Sequence, residues 1–153
     1  IIDEPKKTVF ETQSKIFNDE EISIKIEILK NNPQIKTLEI KTVNHTNGSD
    51  IPNVTYFLKI LKNEEIILSD FFYAKEEIFV LDVETNNFEK IEILGERQYD
   101  HNALIAGKDY PIKISGPILQ NDEEYEFIFE LRTVYDTSNW IFSLSDFRTQ
   151  VIP

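Results

Sequence analysis

A chain of 153 residues, 41% apolar and 29% charged, is long enough for one substantial core and too apolar to be disordered. Its 28 acids against 16 bases give a net charge of −12, which argues against nucleic acid and anionic membrane surfaces as partners, since both select a basic footprint. Cysteine and methionine are absent, which excludes disulfides, thiolate nucleophiles, Cys-type zinc sites, iron–sulfur clusters and blue copper.

With no methionine to initiate it, the chain is expected to be a processed form or an excised fragment. Its start, IIDEPKKTVFE, has no apolar signal core, and no window approaches the length of a membrane span. A cysteine-free chain fits either redox compartment. Its acidic surface serves solubility first, and could also attract Ca²⁺ or basic partners.

Residues 1–7 read as an extended lead-in and Thr8–Glu11 as a short first strand. Ile22, Ile24, Ile26 and Ile28 then alternate with Ser23, Lys25 and Glu27, which puts the isoleucines on one face of a strand and the polar set toward water. Asn31-Asn32-Pro33 is a turn signal, and Gln34–Val43 continues as strand with Leu38 and Ile40 in phase. A polar loop, Asn44–Pro52, leads into a hairpin built from Val54–Leu61 and Ile66–Tyr73 around a charged turn at residues 62–65. Within Phe71-Phe72-Tyr73, alternation divides the rings between two faces, so core rather than surface is the expected fate of at least one.

Ile78–Val83 is near-continuously apolar, as a strand covered on both sides would be. Phe88, Ile91 and Ile93 suggest a short ribbon, and Gly95–Tyr110 is irregular, with room for one helical turn around Ala103–Ala106. Strands follow at Ile112–Ile114, ending at Gly116-Pro117, and at Tyr125–Leu131, where Tyr125, Phe127, Phe129 and Leu131 share a face. Trp140-Ile141-Phe142 reads as a last core strand before an extended tail, residues 146–153. Eight or nine short strands, with no sustained helical period and no linker, predict a single all-β domain over residues 1–153. The expected form is an antiparallel two-sheet β-sandwich with an immunoglobulin-like Greek key, held by packing alone.

Three Asn-x-Ser/Thr acceptors, Asn44, Asn47 and Asn53, fall within ten residues around one polar loop. Either they carry glycans on an exported protein, or the loop simply needs Asn, Gly and Thr for its turns. His45 and His101 are the only imidazoles, and with Asp100 they form a candidate Zn²⁺ or Cu²⁺ set, against the commoner reading of solvated loop histidines. Ca²⁺ has hard oxygen ligands on offer at Asn121-Asp122-Glu123-Glu124 and Asp109, although no EF-hand spacing occurs. No nucleophile elbow, HExxH helix, Walker loop or dinucleotide-binding glycine pattern is present, and carboxylate pairs drawn from 28 acids carry no weight, so an enzyme is not expected.

Three stretches, Val54-Thr55-Tyr56, Lys113-Ile114-Ser115-Gly116-Pro117-Ile118 and Tyr125-Glu126-Phe127-Ile128-Phe129-Glu130-Leu131, carry a resemblance. Together with the hairpin between them they resemble secreted β-rich proteins of ammonia-oxidising archaea (Thaumarchaeota), over about two-thirds of the chain. Such relatives carry a His-rich turn where this chain has Phe72-Tyr73-Ala74-Lys75-Glu76, so any metal role of that turn does not transfer. The resemblance implies an archaeal envelope or exported protein of a family without assigned activity. The resulting expectation is a non-enzymatic extracellular or cell-envelope module with no cofactor. It would bind other envelope or surface proteins, or assemble with itself through edge strands. The alternatives are a Cu/Zn or Ca carrier or redox accessory protein, and a hydrolase with a shallow carbohydrate groove.

Overall fold

A computed structural model describes residues 6–17, 19–97, 102–134 and 146–153. In chain order the strands are β1 (Lys6–Glu11), β2 (Lys15–Phe17), β3 (Glu20–Lys30), β4 (Ile35–Asn44), β5 (Asp50–Ile51), β6 (Val54–Lys62) and β7 (Glu65–Ala74). They continue as β8 (Ile78–Thr85), β9 (Glu92–Leu94), β10 (Glu96–Arg97), β11 (Leu104–Ala106), β12 (Ile112–Gly116), β13 (Tyr125–Thr133) and β14 (Phe147–Val151). One sheet runs β1-β3-β4-β8-β12-β9, with β2 beside β3 and β5 beside β4; the other runs β10-β11-β7-β6-β13-β14. The order β3-β4-β8 facing β7-β6-β13-β14 is the A-B-E against C′-C-F-G arrangement of immunoglobulin-like sandwiches.

Alternation drives the layering. Ile22, Ile24, Ile26 and Ile28 are at most 2% exposed and face Tyr56, Leu58 and Ile60 of β6 across the core. Tyr56 sits at the centre, with its ring 5.1 Å from Phe79 and 5.9 Å from Phe129, while Phe72 stacks on Phe79 at 5.5 Å. Each such side chain contributes about 1.5–3 kcal/mol through burial, which is how a fold without disulfides holds together. β8 is covered on both faces along Phe79-Val80-Leu81, as its unbroken apolar run requires. Of the Phe71-Phe72-Tyr73 rings, Phe72 enters the core and Phe71 packs on Phe57 at 4.7 Å on the other face.

The turns obey local chemistry. Asn32 Oδ1 accepts the N–H groups of Gln34 and Ile35 at 2.8 and 2.9 Å and closes the β3–β4 turn. The β6–β7 connection is tighter than a four-residue turn. Asn63 and Glu64 alone form it, both left-handed (φ 51° and 67°), so its twist matches that of the flanking strands. β12 stops at Gly116, whose φ of 139° suits glycine and where a Cβ would lie 2.7 Å from the Lys90 carbonyl oxygen.

Several expectations need correction. The sheets are not antiparallel throughout: β12 runs parallel to β8 and β11 parallel to β7. The chain between β8 and β12 exceeds the dozen residues that a parallel return requires. The Ala103–Ala106 stretch is no helical turn, because Leu104–Ala106 pairs with Phe72–Ala74 and that tertiary pairing overrides local preference. Phe88 is 74% exposed and outside any strand, leaving only Glu92–Leu94 of the predicted ribbon. Fourteen strands are described in place of eight or nine, the surplus being pieces of two or three residues. The tail is extended as expected but is also an edge strand, with Phe147 and Val151 fully buried. The Trp140–Phe142 strand and residues 1–5 lie outside the described residues.

Candidate functional site

The side of the sandwich formed by β1 and the loop after β4 holds Glu11, Ser23, His45, Asn44 and Asn47. Among the described residues β1 pairs only with β3, in the register Lys7↔Leu29, Val9↔Glu27 and Glu11↔Lys25, and it lies close to β14 of the other sheet. Its residues are exposed except Phe10, which is half-buried against the core, and Val9 is 51% exposed. Lys7 Nζ reaches Glu27 Oε2 at 3.4 Å across the outer face.

One step past β1 the register is pinned. Thr12 N–H donates to the Ile24 carbonyl at 3.0 Å, and Ile24 N–H donates to Thr12 Oγ1 at 3.0 Å. Antiparallel pairs alternate between inward and outward backbone groups. With Thr12 bonded to Ile24, the even residues of β1 face β3, so the N–H and C=O groups of Lys7, Val9 and Glu11 point away from the sheet.

At the end of this edge, Ser23, Glu11 and His45 converge. Ser23 was expected to face water with Lys25 and Glu27, but it is 0% exposed because Glu11 and His45 close over it. Its hydroxyl donates to Glu11 Oε1 at 2.9 Å and lies 2.7 Å from His45 Nε2, which must then donate to Ser23 Oγ. Glu11 Oε1 and His45 Nε2 are 3.8 Å apart. This is not a serine relay: there the carboxylate holds the far imidazole nitrogen, whereas here it takes the hydroxyl proton itself. The cluster ties the loop to the edge strand, with His45 N–H also donating to the Glu21 carbonyl at 2.8 Å.

The three sequons differ in environment. Asn44 is 3% exposed, with its Oδ1 taken by Thr46 N–H at 2.8 Å. Asn47 is exposed at the tip of the loop, its Oδ1 accepting from Ser49 N–H and Oγ at 2.9 and 2.6 Å. Asn53 is half-buried in left-handed backbone (φ 55°), with Oδ1 accepting from the Tyr73 hydroxyl at 3.3 Å.

For the metal candidates, His101 and Asp100 lie outside the described residues, so only His45 is placed. Its acidic neighbour is Glu11, which the sequence did not single out. Among the described residues no group of three or more His, Asp or Glu side chains is set to hold a metal. The calcium candidates are split: Asp109 precedes β12 and Asn121–Glu124 follows it, at opposite ends of that strand. Glu123 is already in an ion pair with Lys62, whose hold on its own proton is strengthened by that hydrogen bond.

A further titratable group lies in the core. Lys36 is 0% exposed on the inner face of β4, where its Nζ donates to Thr85 Oγ1 at 3.3 Å. Burial, and then the Lys30 ammonium, lower its pKa below the ordinary 10.5. The signal was its phase, since Lys36 shares parity with Leu38 and Ile40. No protein-family model, curated protein or solved structure matches this chain.

Proposed function

We propose that the protein is a non-catalytic β-sandwich module, secreted or displayed at the cell surface, that binds other proteins through its open sheet edge. The observation that carries this reading is β1, paired on one side among the described residues, with side chains almost wholly exposed and outward backbone groups at Lys7, Val9 and Glu11. An extended segment can add to such an edge by main-chain hydrogen bonds, while side chains of alternate residues supply selectivity. Placement outside the cell is supported by the sequons, of which Asn47 alone stands fully exposed on the described surface.

Two measurements on the natively expressed protein test the two halves. Peptide mapping should find a glycan on Asn47 and none on Asn44; a bare Asn47 would remove the support for an exported glycoprotein. A photo-crosslinking residue at position 9 should capture protein partners that the same residue at position 66, exposed elsewhere on the second sheet, does not. Equal capture at both positions would sink the edge reading.

A further inference from the structure

The outer edge of β1 is complementary to itself, and we propose that two copies of this chain pair antiparallel through β1 about a two-fold axis at Val9. This inference rests on the edge-binding reading and names its partner. In an added antiparallel strand, outward-pointing residues must oppose outward-pointing residues. The Thr12–Ile24 hydrogen bond makes Lys7, Val9 and Glu11 that set, so each must meet one of the same three on the second copy.

Few registers satisfy this condition, and charge separates them. With Val9 opposite Val9, Lys7 of each copy stands opposite Glu11 of the other, and every outward N–H and C=O of the three residues finds a partner. Sliding by two residues sets Lys7 against Val9 or Val9 against Glu11 and leaves one residue of the set unpaired. Sliding by four sets lysine against lysine or glutamate against glutamate, which is destabilising.

Side-chain faces agree with the same register. Lys7, Val9 and Glu11 lie on the outer face of the sheet, so the pair forms one outer-face row: a Lys–Glu contact, the two valines, and a second Lys–Glu contact. Val9, 51% exposed in one copy, gains apolar cover from its counterpart. On the inner face Phe10, half-buried, meets Thr8 of the second copy. The local charge is also permissive: β1 carries Lys6 and Lys7 against Glu11, on a chain whose net charge is −12. The lysine and glutamate keep their present partners, since the Lys7 ammonium has three donors and Glu11 commits only Oε1 to Ser23.

One short strand against another buries less than the roughly 1,000 Å² expected of a lasting interface. The dimer is therefore weak and concentration-dependent, and most effective where copies are held close together on a surface.

Sedimentation of the full chain from micromolar to millimolar concentration tests the proposal. Wild type should dimerise as concentration rises. Val9→Pro, which removes one outward N–H on the free edge and spares the β3 ladder, should weaken the dimer about tenfold or more. K7E and E11K, each placing like charges opposite one another, should do the same alone. An equimolar mixture of K7E and E11K should recover the dimer, because both cross-strand contacts become opposite-charge again. Recovery in the mixture also shows that the variants are folded. A wild type that stays monomeric at millimolar concentration, a dimer indifferent to Val9→Pro, or a mixture of folded variants that fails to recover would each overturn this pairing. A monomer that still crosslinks to other proteins from position 9 leaves the edge-binding reading intact; a monomer without such crosslinks removes both.

Discussion

β1 and β3 are hydrogen-bonded neighbours in a single antiparallel ladder, yet they do opposite work. β3 turns four isoleucines into the core at 2% exposure or less, whereas β1 offers the core only the half-buried ring of Phe10. A net backbone hydrogen bond contributes about 0.5–1.5 kcal/mol, and a fully buried isoleucine about 1.5–3. The ladder therefore positions both strands, but burial fixes only β3. What β1 lacks in burial it keeps as exposed side chains, so its loss should cost the fold less than the loss of β3.

The largest effect expected from this contrast is in unfolding. Ile24→Ala, at a residue 0% exposed, should cost about 2–5 kcal/mol, through lost transfer energy and a residual cavity. Val9→Ala should change stability by no more than about 0.5 kcal/mol in dilute protein. Urea unfolding of both variants at micromolar concentration measures the gap. A Val9→Ala cost near that of Ile24→Ala would mean that β1 belongs to the core and is not free to bind.

Next in size, and opposite in sign, is Lys36. It occupies a core position of β4 and has a hydroxyl, not a carboxylate, as its hydrogen-bond acceptor. Its pKa is lower in the folded state than in the unfolded chain. Between those two values the unfolded chain binds more protons, and stability rises with pH. The penalty is complete below the folded value and disappears above the ordinary 10.5. Lys36→Met should thus stabilise the protein at neutral pH, with the advantage shrinking as pH climbs toward 10.5. The difference between variant and wild type is the quantity to follow, because Tyr56 acts in the contrary sense. Burial raises its pKa, so its deprotonation in the unfolded chain lowers stability above pH 10 in both proteins. A Lys36→Met variant that is less stable at pH 7 would show that the ammonium is well solvated where it lies.

These residues also show what the sequence makes legible. Period-two alternation marks β3 and β13 directly, and the same parity places Lys36 on the inner face of β4 in spite of its charge. Ser23 escaped notice because its burial comes from Glu11 and His45, one on a neighbouring strand and one on a loop, and no local pattern encodes that meeting. β11 and the parallel placement of β12 were equally hidden, since three- and five-residue strands take their register from distant partners such as Phe72 and Leu81. The burial of β14 is hidden as well: Phe147 and Val151 share a face, with polar Thr149 between them masking the signal. That β1 stands at the end of its sheet among the described residues could not be read at all, because an edge is set by which distant strands pair there.

The smallest expected effect separates turn chemistry from burial in the central hairpin. Glu64 holds a left-handed backbone (φ 67°) in a two-residue loop whose second position favours glycine. A Cβ in that region costs roughly 1–2 kcal/mol, and the extra freedom glycine gives the unfolded chain recovers part of this for the wild type. Glu64→Gly should therefore stabilise the protein by about 0.5 kcal/mol, net of those two terms. It should leave β1 dimerisation unchanged, because the hairpin belongs to the other sheet. Unfolding and sedimentation of this one variant read both quantities. A shift in dimerisation without a change at Val9 would mean that the hairpin and the β1 edge are coupled through the core. The contrast between a fixed core and an independent edge would then no longer hold.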